Sequence, residues 1–392
     1  MKTLPKLDYD YHSYLDKQNS QQESFELKPI HLWKTRKLIE KLKNKRSAGP
    51  DEISNFLLKK LVDVVSKPIT MIINKSIIEG QISPKLKKAK VVPIHKEENK
   101  EVFTNYRPIS LLSSLSKLLE KAIAEQLMNF LEQENILHDR QYGFRRKRKT
   151  SHAVIDLLNE ISDNKAENRR SISVFCDLRK AFDMVGHKIL MDKLEFYGIR
   201  DKELKWFQDY LRDRTQQVQL GCTLSETYTI KTGVPQGSIL GPLLFLLYIN
   251  DLCKATSFST ILFADDTCFT KNDRNLENLV ADTDVELQKA SNWFLANRLA
   301  LNPKKTKFIL FYPRKNEQSP VCKMMGQEIE RIHEKGSEKT FKYVGIHLDE
   351  NLTFKQHIKK TEQVPLRGTC SCGGLGRHIL FSVALASATT LE

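Results

Sequence analysis

Apolar positions along the chain fall into two rhythms. Leu111, Leu115, Leu118, Leu119, Ile123, Leu127 and Phe130 recur at helical spacing and predict a long amphipathic helix after Pro108. Val154, Leu157, Leu158 and Ile161 mark a second helix. Leu190, Leu194 and Tyr197 mark a third, with Gly198 as its C-terminal cap. A rougher stripe, Leu32, Leu38, Ile39 and Leu42, runs through a basic helix over 31–46, stopped by Ser47-Ala48-Gly49-Pro50-Asp51. Residues 240–252 are apolar nearly all round, so that helix is expected to be buried. An amphipathic helix ends near Leu299, and a charged one begins at Phe354. Short unbroken apolar runs predict strands at 91–94, 172–177, 308–312 and 341–348. Residues 258–263 and 267–270 read as two more strands, joined by a tight turn through Ala264, Asp265 and Asp266.

This mixture predicts an α+β chain without internal repeats. Residues 1–30 are polar, rich in Gln and Ser, and expected to be mobile. Residues 365–392 change character, with Gly368, Gly373, Gly374 and Gly376 crowded ahead of an apolar end. A length of 392 residues allows two or three domains. The formal net charge of +15, from 63 Lys and Arg against 48 Asp and Glu, favours a polyanionic partner, either nucleic acid or an anionic membrane surface. The seven cysteines are scattered with no CxxC pair, which argues against a disulfide framework or zinc ribbon and for reduced thiols inside a cell. Residues 1–26 lack the apolar core of a signal peptide, and the most apolar stretch, 239–249, is too short to span a bilayer.

The chemistry starts from three carboxylates. Asp177 ends one apolar run, and Asp265 and Asp266 occupy the tip of the predicted hairpin. Hard oxygen ligands at strand ends can converge on divalent cations, and two such ions about 4 Å apart can clamp the attacking and leaving oxygens of a phosphoryl transfer. Side chains alternate along a hairpin, so Asp265 is expected to hold metal with Asp177, and Asp266 to play a weaker part. Phe182, five residues after Asp177, can lie under a nucleotide sugar and clash with a 2′-hydroxyl. The Gly233-Val234-Pro235-Gln236-Gly237-Ser238 loop lets backbone amides approach a phosphate or base, with Gln236 and Gly237 as nucleotide contacts. Arg107 can fork onto triphosphate oxygens, with Lys90 and Lys96 adding charge nearby. Gln141, Phe144, Arg145 and Arg146 lie in a stretch suited to strand backbone contact and base stacking. One of Lys304, Lys305 and Lys307, with Lys305 the candidate named, can protonate leaving pyrophosphate as general acid; which of them does so is open.

Taken in order, several motifs resemble the reverse transcriptases of non-LTR retrotransposons, the jockey-like group of long interspersed elements. They are Ala48-Gly49-Pro50-Asp51, Asn105-Tyr106-Arg107-Pro108-Ile109-Ser110, Gln141-Tyr142-Gly143-Phe144-Arg145, and Asp177 through Ala181-Phe182-Asp183. The glycine-flanked loop, Phe263-Ala264-Asp265-Asp266, Leu301-Asn302-Pro303-Lys304-Lys305-Thr306 and Tyr343-Val344-Gly345 complete the series. The likeness covers roughly residues 31–360. It implies a right-hand polymerase: mostly helical fingers over 31–165, a palm of antiparallel sheet packed on helices over 166–350, and a truncated helical thumb over 351–392. The reverse transcriptase domain itself would span about 85–350. It implies RNA-directed DNA synthesis by target-primed reverse transcription with two Mg²⁺ ions, Mn²⁺ as a substitute, on an RNA template, a DNA primer or target and deoxynucleoside triphosphates. Under it, Asp177, Asp265 and Asp266 are metal carboxylates, Phe182 is the sugar gate, Arg107 is a triphosphate contact, and Tyr343 and Gly345 lie near the primer end. No membrane partner is implied.

The chain also departs from the family. Nothing before His31 is long enough for the usual upstream endonuclease, the thumb gives way to the glycine-rich tail, and Gly186 stands where an acidic residue is common. The expectation is a fragment of a degenerate or mis-joined element. Its rivals are a viral RNA polymerase, a maturase or telomerase-like enzyme, and an inactive RNA-binding relic.

Overall fold

The structure is a computed structural model and describes residues 10–15, 23–95, 99–102, 105–314 and 319–362. Lys96, Cys370, Cys372 and the glycine-rich tail lie outside the described residues, as does most of the segment before residue 23. The helices in chain order are α1 (Leu32–Glu40), α2 (Asn55–Lys60), α3 (Val62–Glu79), α4 (Ser114–Gln133), α5 (Thr150–Ala166) and α6 (His187–Phe196). After these come α7 (Asp201–Leu211), α8 (Leu240–Ile249), α9 (Leu252–Ala255), α10 (Leu276–Ala296) and α11 (Lys355–Glu362). The strands begin with β1 (Lys88–His95), β2 (Tyr106–Leu112), β3 (Arg170–Cys176), β4 (Thr215–Leu220), β5 (Thr223–Leu224), β6 (Tyr228–Thr229) and β7 (Ser259–Phe263). They end with β8 (Asp266–Asp273), β9 (Lys307–Phe311), β10 (Cys322–Met324), β11 (Gln327–Arg331), β12 (Phe341–Tyr343) and β13 (Ile346–Leu348). The mixed α+β character matches the expectation. The chain divides into two compact units that interleave in sequence: residues 1–138, 180–251 and 296–299 form one, and 139–179, 252–295 and 300–392 the other.

In the first unit, β2, β1, β4 and β5 lie side by side, with β6 also on β4. The helix expected after Pro108 starts later, and Leu111 belongs to β2, opposite Lys90 of β1. An edge strand tolerates Pro108, which has no N–H to give to a ladder. Ser113 then caps α4 by accepting from the Ser116 N–H at 2.9 Å. α8 is buried on every side, as its composition requires. It packs against α4 and α6. The Glu120 carboxylate, 1% exposed on α4, accepts the Ile239 N–H at 2.6 Å and the Leu240 N–H at 3.4 Å where α8 begins. Burial pushes this carboxyl above its usual range, against the pull of Arg214 and those two N–H groups.

In the second unit the sheet order is β10-β11-β9-β3-β8-β7. β3 runs antiparallel to both its neighbours, and all of it except Arg170 is buried. That burial accounts for Ile172, Val174, Phe175 and Cys176 along it. α5 packs on β3 and β7 through Val154, Leu157, Leu158 and Ile161. The single strand expected over 341–348 is instead the hairpin β12–β13, turning through Val344 and Gly345, both at positive φ. The ring of Phe341 stacks on Phe175 of β3 at 4.6 Å, and Tyr343 joins the same cluster. None of the five cysteines among the described residues forms a disulfide.

Candidate active site

The ladder between β3 and β8 places the carboxylates. Its last rung pairs Cys176 with Thr267, so Asp177 and Asp266 occupy the next position on adjacent strands. β7 and β8 close through a two-residue turn, Ala264-Asp265, flanked by the Phe263–Asp266 pair. Ala264 sits at φ +59°, in the left-handed region that an alanine rarely adopts. Asp177 and Asp265 are half-buried, and Asp266 is exposed. The register thus sets Asp266, not only Asp265, level with Asp177. Among the described residues no three or more His, Cys, Asp or Glu side chains are gathered into a group that could hold a metal ion. The three aspartates are neighbours by backbone register, and their carboxylates are not drawn into one cluster. The donor set still suits a hard divalent cation, since all three residues offer carboxylate oxygens at adjoining strand ends.

The backbone on both sides of these residues is fastened. The Asp177 carbonyl accepts the Asn302 N–H at 2.8 Å, and the Ala300 carbonyl accepts the Arg179 N–H at 2.8 Å. The same Asn302 carbonyl takes the N–H groups of Lys305 and Thr306, closing the turn that carries Lys304 and Lys305. Both lysines are exposed. Lys307 is not a candidate acid: its ammonium is buried against Glu330 and lies 3.8 Å from Glu338. On the other side, the Tyr142 N–H donates to the Leu262 carbonyl at 2.8 Å, and the Leu262 N–H donates to the Arg140 carbonyl at 2.9 Å. Residues 140–143 therefore lie along β7.

Two of the expected nucleic-acid contacts, Gln141 and Tyr343, have buried side chains. Gln141 is 1% exposed, and its Oε1 accepts the Gly143 N–H at 2.8 Å and the Ala264 N–H at 3.2 Å, so it is turned into the protein. Tyr343 is 3% exposed and packs beside Phe175 at 5.1 Å. Burial pushes its phenol far above the usual range. Phe144 and Arg146 are exposed, Arg145 is half-buried, and Gly345 is exposed at the tip of the β12–β13 hairpin.

The remaining predicted residues share the first unit and are laced together there. The Ser110 N–H of β2 donates to the Gln236 carbonyl at 2.8 Å. At Gly237, φ is +111° and a Cβ would meet the Ser110 oxygen at 2.6 Å, so only glycine fits. The Val234 N–H reaches the Phe182 carbonyl at 2.8 Å, and Gln236 Nε2 donates to Asp183 Oδ1 at 3.0 Å. Burial raises the Asp183 carboxyl despite that bond. Phe182 is half-buried with its ring 4.9 Å from Phe245 of α8. Arg107 is exposed on β2, and Lys90 is half-buried on β1 between Leu111 and Gln217.

Sequence reasoning missed Arg140. It clasps Asp156 and Glu160 of α5 at 2.6 Å each and also holds Ser259 at the start of β7. The signal was the pair of acids four residues apart on one face of α5. Glu120 was missed too; an acid within the apolar stripe of α4 was its signature.

The sequence profile described as "Reverse transcriptase (RNA-dependent DNA polymerase)" matches residues 94–348. The chain belongs to the reverse transcriptase family. It is 32% identical over 87% of its length to the "Probable RNA-directed DNA polymerase from transposon BS" of Drosophila melanogaster, covering 38% of that protein. It is 29% identical over 87% of its length to the "RNA-directed DNA polymerase from mobile element jockey" of the same fly, covering 37% of it. The X-element polymerase of that fly is 29% identical over 84% of this chain, with 36% of the relative covered. The chain thus spans under two-fifths of the length of these relatives. Among its described residues no helix is long and apolar enough to cross a membrane.

Proposed function

We propose that the chain performs RNA-directed DNA synthesis, adding deoxynucleotides to a primer 3′-hydroxyl as part of retrotransposition. The observation that carries this reading is the placing of Asp177 and Asp265-Asp266 at adjoining ends of β3 and the β7–β8 hairpin in a chain of this family. Asp177 and Asp265 would hold two Mg²⁺ ions, with Asp266 beside them. Such ions, when bound, align the primer oxygen with the α-phosphorus and offset the charge that builds on the phosphate.

The protein's own residues divide the remaining work. Arg107 grips triphosphate oxygens through its paired N–H groups, and Lys90 adds positive charge on the next strand. Phe182, backed by Phe245, presents a ring to the sugar and leaves no room for a 2′-hydroxyl. Gln236, its amide oriented by Asp183, and Gly237 meet the nucleotide or its template base. Phe144, Arg145 and Arg146 contact the strand, and Gly345 lies near the primer end. Lys305, exposed on its turn, protonates the leaving pyrophosphate, with Lys304 the alternative.

The test is primer extension on an RNA template with a DNA primer and Mg²⁺, comparing deoxy- with ribonucleotides and the native chain with Asp265→Asn. The expected result is extension by deoxynucleotides alone, lowered about a thousandfold or more by the substitution. No extension by the native chain, or equal extension by Asp265→Asn, overturns the reading.

A further inference from the structure

We propose that Gln141 is a positioning residue for the catalytic turn: its buried amide oxygen holds Ala264 in the left-handed conformation from which Asp265 and Asp266 are presented. The proposal rests on the assignment of those aspartates as catalytic. Four observations converge on it. The Ala264 N–H, at the strained position of the turn, has Gln141 Oε1 as its acceptor at 3.2 Å. That same oxygen takes the Gly143 N–H at 2.8 Å, so the side chain is fixed from both sides. Gln141 lies in a parallel bridge with Leu262, and Arg140 next to it is anchored on Asp156, Glu160 and Ser259. The acceptor is therefore carried on backbone and side chains that are themselves tied to β7 and α5. Finally, Gln141 Nε2 is buried with no hydrogen-bond partner among the described residues. The amide is kept for its oxygen, since packing alone would be served by an apolar side chain of the same length.

The chemistry explains why an acceptor is needed there. A non-glycine residue with positive φ persists only where its surroundings over-determine it. Without the acceptor the Ala264 N–H is a buried donor with nothing to bond, and the turn relaxes toward conformations that carry Asp265 elsewhere. Gln141 acts through the turn and touches no reacting atom.

The experiment compares the native chain with Gln141→Met, which keeps length and burial but removes the acceptor, and Gln141→Glu, which keeps acceptor oxygens at the same reach. Hydrogen–deuterium exchange is followed in the peptide covering 259–267, and single-turnover primer extension is run with Mg²⁺ and saturating deoxynucleotide. The Met variant is expected to lose protection at the turn and to extend about ten- to a hundredfold more slowly, with nucleotide half-saturation little changed. The Glu variant is expected to retain turn protection. Native protection in the Met variant overturns the proposal, whatever its rate. If the Met variant unfolds as a whole, the Glu variant decides: an unprotected turn in a folded Glu variant overturns the proposal, and a protected one supports it. If the native chain does not extend primers, the proposed function fails, while the exchange comparison still decides whether Gln141 holds the turn.

Discussion

Gly143→Ala should disable catalysis while leaving the fold intact. A Cβ built on Gly143 lies 2.3 Å from the Ala264 nitrogen and 3.0 Å from the Ala264 Cα. Ordinary van der Waals contact begins at 3.4 Å, so the two backbones must part by about 1.1 Å. No flexible side chain can absorb that overlap, because the nearest atoms are the main chain of the turn that carries Asp265. A displacement of about 1 Å in a reacting geometry lowers rates roughly a hundredfold, equivalent to about 2.7 kcal/mol in the barrier. Overpacking of this kind costs about 1–3 kcal/mol of stability, which a chain of this size survives. The assay is single-turnover primer extension at saturating deoxynucleotide, with thermal unfolding run in parallel. A folded variant that extends within about threefold of the native rate would refute the reasoning, because it would show either that the turn yields freely or that its placement does not govern the rate.

Other predictions follow from buried pairs and from titration. Lys193→Met removes the ammonium that lies 2.5 Å from the buried Asp251 carboxylate, and should destabilise the chain by about 3–5 kcal/mol in urea denaturation. Replacing both residues, with Asp251→Leu, should recover most of that loss. Phe182→Val should admit ribonucleotides in primer extension, and unchanged discrimination would remove Phe182 as the sugar gate. His347 is held below the usual imidazole range by burial, then by Lys360, His357 and Lys342, and His357 is lowered by burial. Their neutral forms favour the folded state, so the contribution is full above about pH 6.5 and is lost as the pH falls through the lowered values. The protection factor of the peptide covering 354–362, taken relative to the intrinsic exchange rate at each pH, should therefore fall on acidification from about pH 7.5 to 5.5, and the double variant His347→Gln/His357→Gln should flatten that response.

Much of the fold was legible because burial leaves a rhythm in the sequence. β3 reads as an apolar run because it lies inside a six-stranded sheet, and α8 reads as buried because it has no polar face. The acidic hairpin was legible from its composition and from Asp177 upstream. Illegible elements lack that rhythm. β4, Thr215–Leu220, is a polar strand paired on both sides and buried on neither face. α3 contains Pro68 within its length, which argues against a helix in any local reading. α7 buries Trp206, Phe207, Tyr210 and Leu211, but its short span gave the pattern too few turns to stand out. The helical spacing of Leu111 with Leu115 was coincidental, since β1 pairing overrode it. In the site, residue types were readable and orientation was not. Gln141 follows Arg140 and precedes the basic run 145–149, Tyr343 follows Lys342, and only the fold turns their side chains inward.

The interleaving of the two units bears on how such a chain can be made. It passes from one unit to the other five times, after residues 138, 179, 251, 295 and 299. Neither unit is a contiguous stretch, so no single cut yields an independently folding half. During synthesis from the N-terminus, residues 296–299 are the last part of the first unit to emerge. The ladder that brings Cys176 beside Thr267 must likewise await the emergence of β8, and pairings of such sequence separation form slowly. The nascent chain consequently carries β3, buried along nearly its whole length in the finished sheet, without its neighbours until β8 and β9 have been made. In that interval it is exposed to aggregation or chaperone capture.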